Sequence, residues 1–255
     1  MANLVTRVSV DTLSVAALAL LRKGYGAMQA IKDERGFNAI SGIHGVPGHF
    51  CHKVEILFLP WHRAYLYHFE QYLRDRVAGT CIPWWDWTSD ASHKAGLPKA
   101  FTDAKDDAGQ PNPLLKSHIY VPQEGFDVDT RRNPRSPAEL PSMTAFVAGV
   151  RAVNDVMALS DYTDFSEQLE QVHNSVHSWV RGSMGVIATA AFDPIFYSHH
   201  AMIDRFWYIW QIQNGINNIP HELLQQTLPP FNMKVSDVLD ISKLGYQYAV
   251  GHISG

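Results

Sequence analysis

The sequence predicts a mainly α fold, with helices packed round one shared core and long loops at one end. Three observations carry this. Apolar residues recur at three- and four-residue spacing over most of the informative stretches, the pattern of a helix with one buried face. Period-two alternation, the mark of a half-buried strand, is weak throughout. Prolines, aspartates, lysines and glycines gather at 91–142, which reads as a long irregular excursion with a few short strands at most.

Taken in order, Ser9 or Asp11 can cap a helix over 12–32, and a second is expected over 35–44. A third runs from about Trp61 to Arg76, with Leu66, Phe69, Tyr72 and Leu73 on one side. IPWWDWTSD follows at 82–90, where Pro83 argues against helix. Its tryptophans, Trp84, Trp85 and Trp87, are expected to plug the core rather than stack a ligand. Helical patterning resumes at 142–158, 164–180 and 194–213. Asp193-Pro194 makes a sound helix start, an N-cap followed by proline at the first helical position. From 220 the chain is loop-like and ends with LGYQYAV before its last few residues.

Composition excludes several classes. Hydrophobic residues make up 46% of 255 residues and charged ones 18%, which suits a globule with a substantial core and not a disordered chain. A net charge of −4 argues against a nucleic-acid or anionic-membrane partner. No segment approaches the ~18 apolar residues that span a bilayer. VAALALL at 15–21 lacks a basic region ahead of it and runs straight into RKGYGAMQAI, so it reads as a mature helix and not a signal peptide. The expectation is a soluble protein with no export signal of its own, cytoplasmic or exported with a partner. Two cysteines, Cys51 and Cys81, do not make a disulfide scaffold.

The histidines carry the chemistry. In HNSVH, His173 and His177 are four apart, so a helix stacks both imidazoles on one face, ready to hold one ion. DPIFYSHHAMIDRFW sets His199 and His200 among Phe196, Ile203, Phe206 and Trp207, where an imidazole is costly unless its nitrogens are bonded. A third ligand to the His173/His177 site answers that cost. The N-terminal half offers a matching set: His44, then His52 or His49, then His62 in PWHR. All-nitrogen donors suit copper or zinc better than magnesium or calcium. A zinc protease would need HExxH, and HNSVH has no glutamate at that place.

FLPWHRAYLYHFEQYL, PWWDWT, HNSVHSWV and DPIFYSHHAMIDRFW together resemble the two copper-binding signatures of the type 3 copper superfamily: tyrosinases, catechol oxidases and molluscan haemocyanins. The likeness covers about 40–90 and 165–212, and LGYQY at 244–248 is similar to the tyrosine motif that closes the domain there. The resemblance implies a central four-helix bundle holding a dicopper site, in a single catalytic domain over 1–255 with no C-terminal shielding domain. It implies two copper ions, copper A on His44, His52 and His62, and copper B on His173, His177 and His200, with His199 behind the ligands. Arg63, Asp204 and Arg205 match residues with structural roles. One departure stands out. Members usually place the middle copper A histidine nine residues before the PWH histidine; here Lys53 holds that place and His52 lies one residue out of register. A thioether from Cys51 to the adjacent His52 is not expected.

The activity implied is a phenol oxidase that uses O2 to turn o-diphenols into o-quinones and to ortho-hydroxylate monophenols. A phenol has a pKa near 10, so hydroxylation needs a base by the copper. Glu170 and Asn174 match the Glu and Asn that hold a water in tyrosinases, with Glu167 a rival one helical turn away. Met184, Ala190 and Ala191 are candidates for lining the entrance. Catechol oxidase and o-aminophenol oxidase share the site, and a haemocyanin-like O2 carrier is the reading of another class. Partners implied are a small phenol, O2 and a protein that delivers copper or assists export.

Overall fold

The computed structural model describes residues 4–51 and 55–249. Among them the helices are α1 (Val15–Ala30), α2 (Phe37–His44), α3 (Phe58–Arg76), α4 (Asp90–Ala95), α5 (Val153–Met157), α6 (Tyr162–Val180), α7 (Ile187–Ala190), α8 (Ile195–Asn214) and α9 (Val235–Val238). The strands are β1 (Val5–Arg7), β2 (His118–Val121), β3 (Phe126–Asp129) and β4 (Tyr246–Tyr248). The fold is mainly α, and among the described residues the sheets are two-stranded, as the patterning requires. No described helix is long and apolar enough to cross a membrane.

Local chemistry sets the ends of the long helices. Ser14 Oγ accepts from Ala17 N at 3.1 Å and starts α1; Ser9 caps a separate single turn at 10–12. The expected start at residue 12 is therefore three residues early. Asp161 Oδ1 accepts from Thr163 N and Asp164 N and fixes the start of α6. At α8 the Asp193 carboxylate accepts from Ile195 N at 3.2 Å, yet it chiefly faces the Arg132 guanidinium.

The helix expected over 142–158 forms only at its end, as α5. Ala148 and Gly149 both take positive φ (50° and 87°), turning the chain so that Val147 and Val150 bond to each other. Ser142 Oγ draws in the amides of Thr144 and Ala145, which competes with a helix at its first turn. Apolar spacing alone does not outweigh this.

Helices α3 and α8 run against each other through the centre, with α6 and α1 beside α3. Leu66, Phe69 and Leu73 of α3 are buried, and the Phe69 ring stacks on Tyr197 of α8 at 3.5 Å between centroids. Trp84, Trp85 and Trp87 are buried, so PWWDWT is the plug its composition suggested. A fully buried ring of this kind contributes about 1.5–3 kcal/mol of apolar transfer.

The two ends of the described chain meet. β1 pairs in parallel with β4, Val5 opposite Tyr246 and Arg7 opposite Tyr248. That pairing delivers Arg7, Tyr246 and Tyr248 to the Asp204 carboxylate in the core. Arg7 also donates to Glu70 Oε2 at 2.9 Å, and Glu70 in turn pairs with Arg74 and accepts from Ile82 N.

Candidate metal centre

Four helices bring five of the expected histidines to one end of the bundle. His44 is the last residue of α2, His62 lies in the second turn of α3, His173 and His177 share one face of α6, and His200 sits early in α8. Two clusters of metal-ligating atoms result among the described residues: His173, His177, His199 and His200, and His44, Cys51 and His62.

In the first cluster the Nε2 atoms of His173, His177 and His200 form a triangle with sides of 2.9, 3.1 and 3.4 Å. His177 Nδ1 donates to Met184 O at 2.7 Å, and a carbonyl can only accept, so its Nε2 carries the lone pair. His173 Nδ1 faces Asn174 Oδ1 at 3.1 Å, which assigns the same tautomer. Two lone pairs 2.9 Å apart repel unless a cation lies between them. Nitrogens about 2.0–2.1 Å from a tetrahedral ion stand about 3.3 Å from one another, close to the observed sides. The donor set fits a metal.

Burial prepares these groups for the task. His200 is held well below the ordinary histidine range by burial and by the neighbouring His62, and His199 by burial and by His177. Both stay neutral, the form that binds metal. His199 stacks on His173 at 5.0 Å and 10°, and neither of its nitrogens has a hydrogen-bond partner. The sequence placed it behind the ligands; the structure places a ligand-capable nitrogen of it in the same cluster.

The second cluster is built similarly from its imidazoles. His62 Nδ1 donates to Phe58 O at 2.8 Å, so the lone pair of the ring lies on Nε2. The His62 ring stacks on His200 at 4.3 Å and 20°, and His44 lies 5.6 Å from His62, so the two clusters abut. Phe58 touches both His62 and His173, and Phe196 packs on His44 and His200; these rings wall the centre. Gly45 ends α2 because the 184–190 segment crosses it: a Cβ there would lie 2.1 Å from Ala188 O.

His52 and Lys53 lie outside the described residues. His49, the rival, stands exposed on a left-handed residue (φ 51°) and joins neither cluster. Cys51, which sequence reasoning did not credit as a donor, is buried with Sγ 3.5 Å from His62 Nε2. Its place beside the histidines in HFCHK was the available signal. Neither Cys51 nor Cys81 is in a disulfide.

Glu170 is half-buried one turn before His173, Glu167 is exposed, and Asn174 is exposed beside His173. Met184, Ala190 and Ala191 are all buried and do not line an open entrance. In that segment it is Val186 and Ile187 that are exposed, at 52% and 59%. Arg63 donates to Asp204 and lies over Trp207, and Arg205 lies over Trp84.

Fold and site define a type 3 copper domain. A family model for the common central domain of tyrosinase matches residues 34–213, and the chain belongs to that family, whose domain binds two copper ions. It is 33% identical over 230 residues to haemocyanin units G and H of Sepia officinalis, covering 84% of this chain and 39% of that protein. It is 29% identical over 274 residues to haemocyanin beta-C chain unit G of Helix pomatia, covering 95% of this chain and 65% of that one. Among solved structures, an octopus haemocyanin functional unit superimposes with a TM-score of 0.79 at 28% identity, over 96% of this chain and 68% of that one. The Burkholderia thailandensis tyrosinase at high pH gives 0.80 at 24% identity, over 98% and 74%, which shows the shared fold. The chain thus spans about two-fifths of the Sepia protein's length.

Proposed function

We propose that this chain is the catalytic domain of a copper-dependent phenol oxidase that oxidises o-diphenols to o-quinones and ortho-hydroxylates monophenols. His173, His177 and His200 hold copper B; His44 and His62 hold copper A, with a third donor from the loop that contains Cys51 and His52. Copper, when bound, supplies the dioxygen activation and electron acceptance by which two catechols and one O2 become two o-quinones and two waters. The remaining steps belong to the chain.

The observation that carries the reading is the contact of Asn174 with His173, one of the three clustered imidazoles. Asn174 Oδ1 accepts from His173 Nδ1, which leaves its amide NH2 to hold a water near the substrate face. Glu170, half-buried one turn earlier on α6, takes the phenol proton through that water. A diphenol gives up its first proton more readily, so the base matters most for monophenols. Phe58 and Phe196 flank the imidazoles and keep bulk water from the reacting ring.

Copper-loaded protein assayed on tyrosine, catechol and o-aminophenol, with a metal count, tests this. Two coppers per chain and turnover of catechol and tyrosine are expected. In Glu170→Gln the tyrosine rate falls at least tenfold more than the catechol rate; equal losses would remove Glu170 from the role. A second reading, reversible O2 carriage, is favoured by the haemocyanin relatives. Reversible oxygenation with no turnover of any of the three substrates would select it, and turnover of catechol or o-aminophenol alone would select a catechol or aminophenol oxidase. Delivery of copper by a partner protein is a further part of the proposal, tested by whether free copper loads the apoprotein.

A further inference from the structure

We propose a second ligand site, for a small carboxylate with an apolar body, in the cavity between α1 and the 106–113 loop, with the Arg22 guanidinium as its anchor. The cavity measures about 530 Å³, within the range of about 300–1,000 Å³ usual for small-molecule sites. Arg22 borders it and is only 4% exposed, so a charge that never leaves the guanidinium has been taken out of water. Among the described residues that guanidinium meets one acceptor, Asp107 Oδ2, 3.4 Å from Nη1, on a carboxylate that is itself 64% exposed. Its Nε has no hydrogen-bond partner. Buried cations ordinarily carry partners for their donors, and this one is under-compensated. A ligand carboxylate completes the pairing, in the planar two-bond manner that suits a guanidinium.

The rest of the cavity selects the ligand's body. Val15, Ala19, Ala108, Pro111 and Pro113 line it with carbon, which favours an apolar group over a bare anion. These walls stand before any ligand arrives. Asp106 Oδ1 accepts from Ala108 N and Gln110 N at 2.9 and 2.8 Å, which fixes the turn of the loop. Gln29 Nε2 donates to Pro113 O at 2.8 Å and ties the loop to α1. Lys23, exposed at the rim, adds a second positive charge. Asp107, held to Arg22 by the long contact alone, turns out to water as the ligand's carboxylate enters. No lining residue belongs to either histidine cluster, so the site is independent of the dicopper reading.

Calorimetric titration of the full chain with cyclohexanecarboxylate tests this, beside cyclohexanecarboxamide and inorganic phosphate. The carboxylate should bind about tenfold or more tightly than the uncharged amide, because only it forms a charged pair with Arg22. Phosphate, which lacks the apolar body, should also be weaker than the carboxylate. Arg22→Met keeps the apolar stem and removes the charge; it should weaken the carboxylate about tenfold or more and leave the amide unchanged. Ala19→Trp fills the cavity with Arg22 intact and should abolish binding. Ala19 is exposed, so this variant keeps the test standing even where Arg22→Met fails to fold. A wild type that binds none of the three probes overturns the inference. So does an amide or a phosphate that binds as tightly as the carboxylate. So does carboxylate affinity that survives both Arg22→Met and Ala19→Trp, which would seat the anion elsewhere, the metal centre included.

Discussion

Arg63 Nε donates to Asp204 Oδ1 at 2.5 Å, joining α3 to α8 one residue from His62 and four from His200. The two helices that carry opposite halves of the metal centre are thus pinned beside it by a buried ion pair. Burial alone would raise the Asp204 carboxyl, but Arg63, Arg7 and the Tyr248 hydroxyl outweigh it and hold the group below the usual range. Arg7 and Tyr246 also reach Oδ2, at 3.3 and 2.7 Å. Removing the carboxylate leaves the buried Arg63 guanidinium without a carboxylate partner and Arg7 with Glu70 alone. Asp204→Ala should cost about 3–5 kcal/mol, read as a fall in the denaturant midpoint of the apoprotein. An unchanged midpoint would mean the network is dispensable.

The HH pair offers a separate test. His200 Nε2 completes the triangle with His173 and His177, whereas the His199 ring lies flat on His173. His200→Ala should lose one of two coppers. His199→Phe keeps a ring of similar size in the stack and should bind two. The reverse pattern would exchange the ligand between the neighbours. Metal analysis after dialysis decides it.

Gly45 sets the approach of the 184–190 segment, which carries the Met184 carbonyl that orients His177, to the helix that ends in His44. Its backbone φ of −102° is not left-handed, and it is space that excludes a side chain. The atom that a Cβ would meet is backbone, Ala188 O at 2.1 Å, so it cannot rotate away. Gly45→Ala should therefore destabilise by about 1–3 kcal/mol and loosen both His44 and His177. Thermal melts of apo and metal-loaded protein should both shift down. A variant that melts with the parent would show the segment yields freely.

Much of this was legible in the residues. HNSVH on a 3.6-residue period puts two imidazoles on one face, and α6 does so with Nε2 atoms 2.9 Å apart. PWWDWT was legible as core because nothing else accommodates three adjacent indoles. What stayed hidden depended on tertiary direction. The 142–158 pattern gave no warning that Ala148 and Gly149 would both turn left-handed. Met184, Ala190 and Ala191 read as an entrance by their small or flexible side chains, yet the segment folds them inward and leaves Val186 and Ile187 outside. Cys51 was read against its chain neighbour His52, while the fold sets it against His62, eleven residues on.

Buried phenols make the alkaline limit steep. Tyr25, Tyr65, Tyr162, Tyr197, Tyr246 and Tyr248 are all pushed above the ordinary tyrosine range, in each case chiefly by burial. Tyr65 and Tyr197 also share a 3.1 Å hydroxyl contact, and Tyr248 donates to Asp204 at 2.5 Å. Their folded pKa values lie above the unfolded value near 10, so beyond that pH the folded chain binds more protons than the unfolded one. Stability is then full below pH ~10 and falls as pH rises, by about 1.4 kcal/mol per pH unit for each tyrosine. In an alkaline titration these six phenols should ionise together, as a rise in absorbance near 295 nm that coincides with loss of helical circular dichroism. Ionisation of all ten tyrosines while the helical signal stays native would show that the six are not sealed.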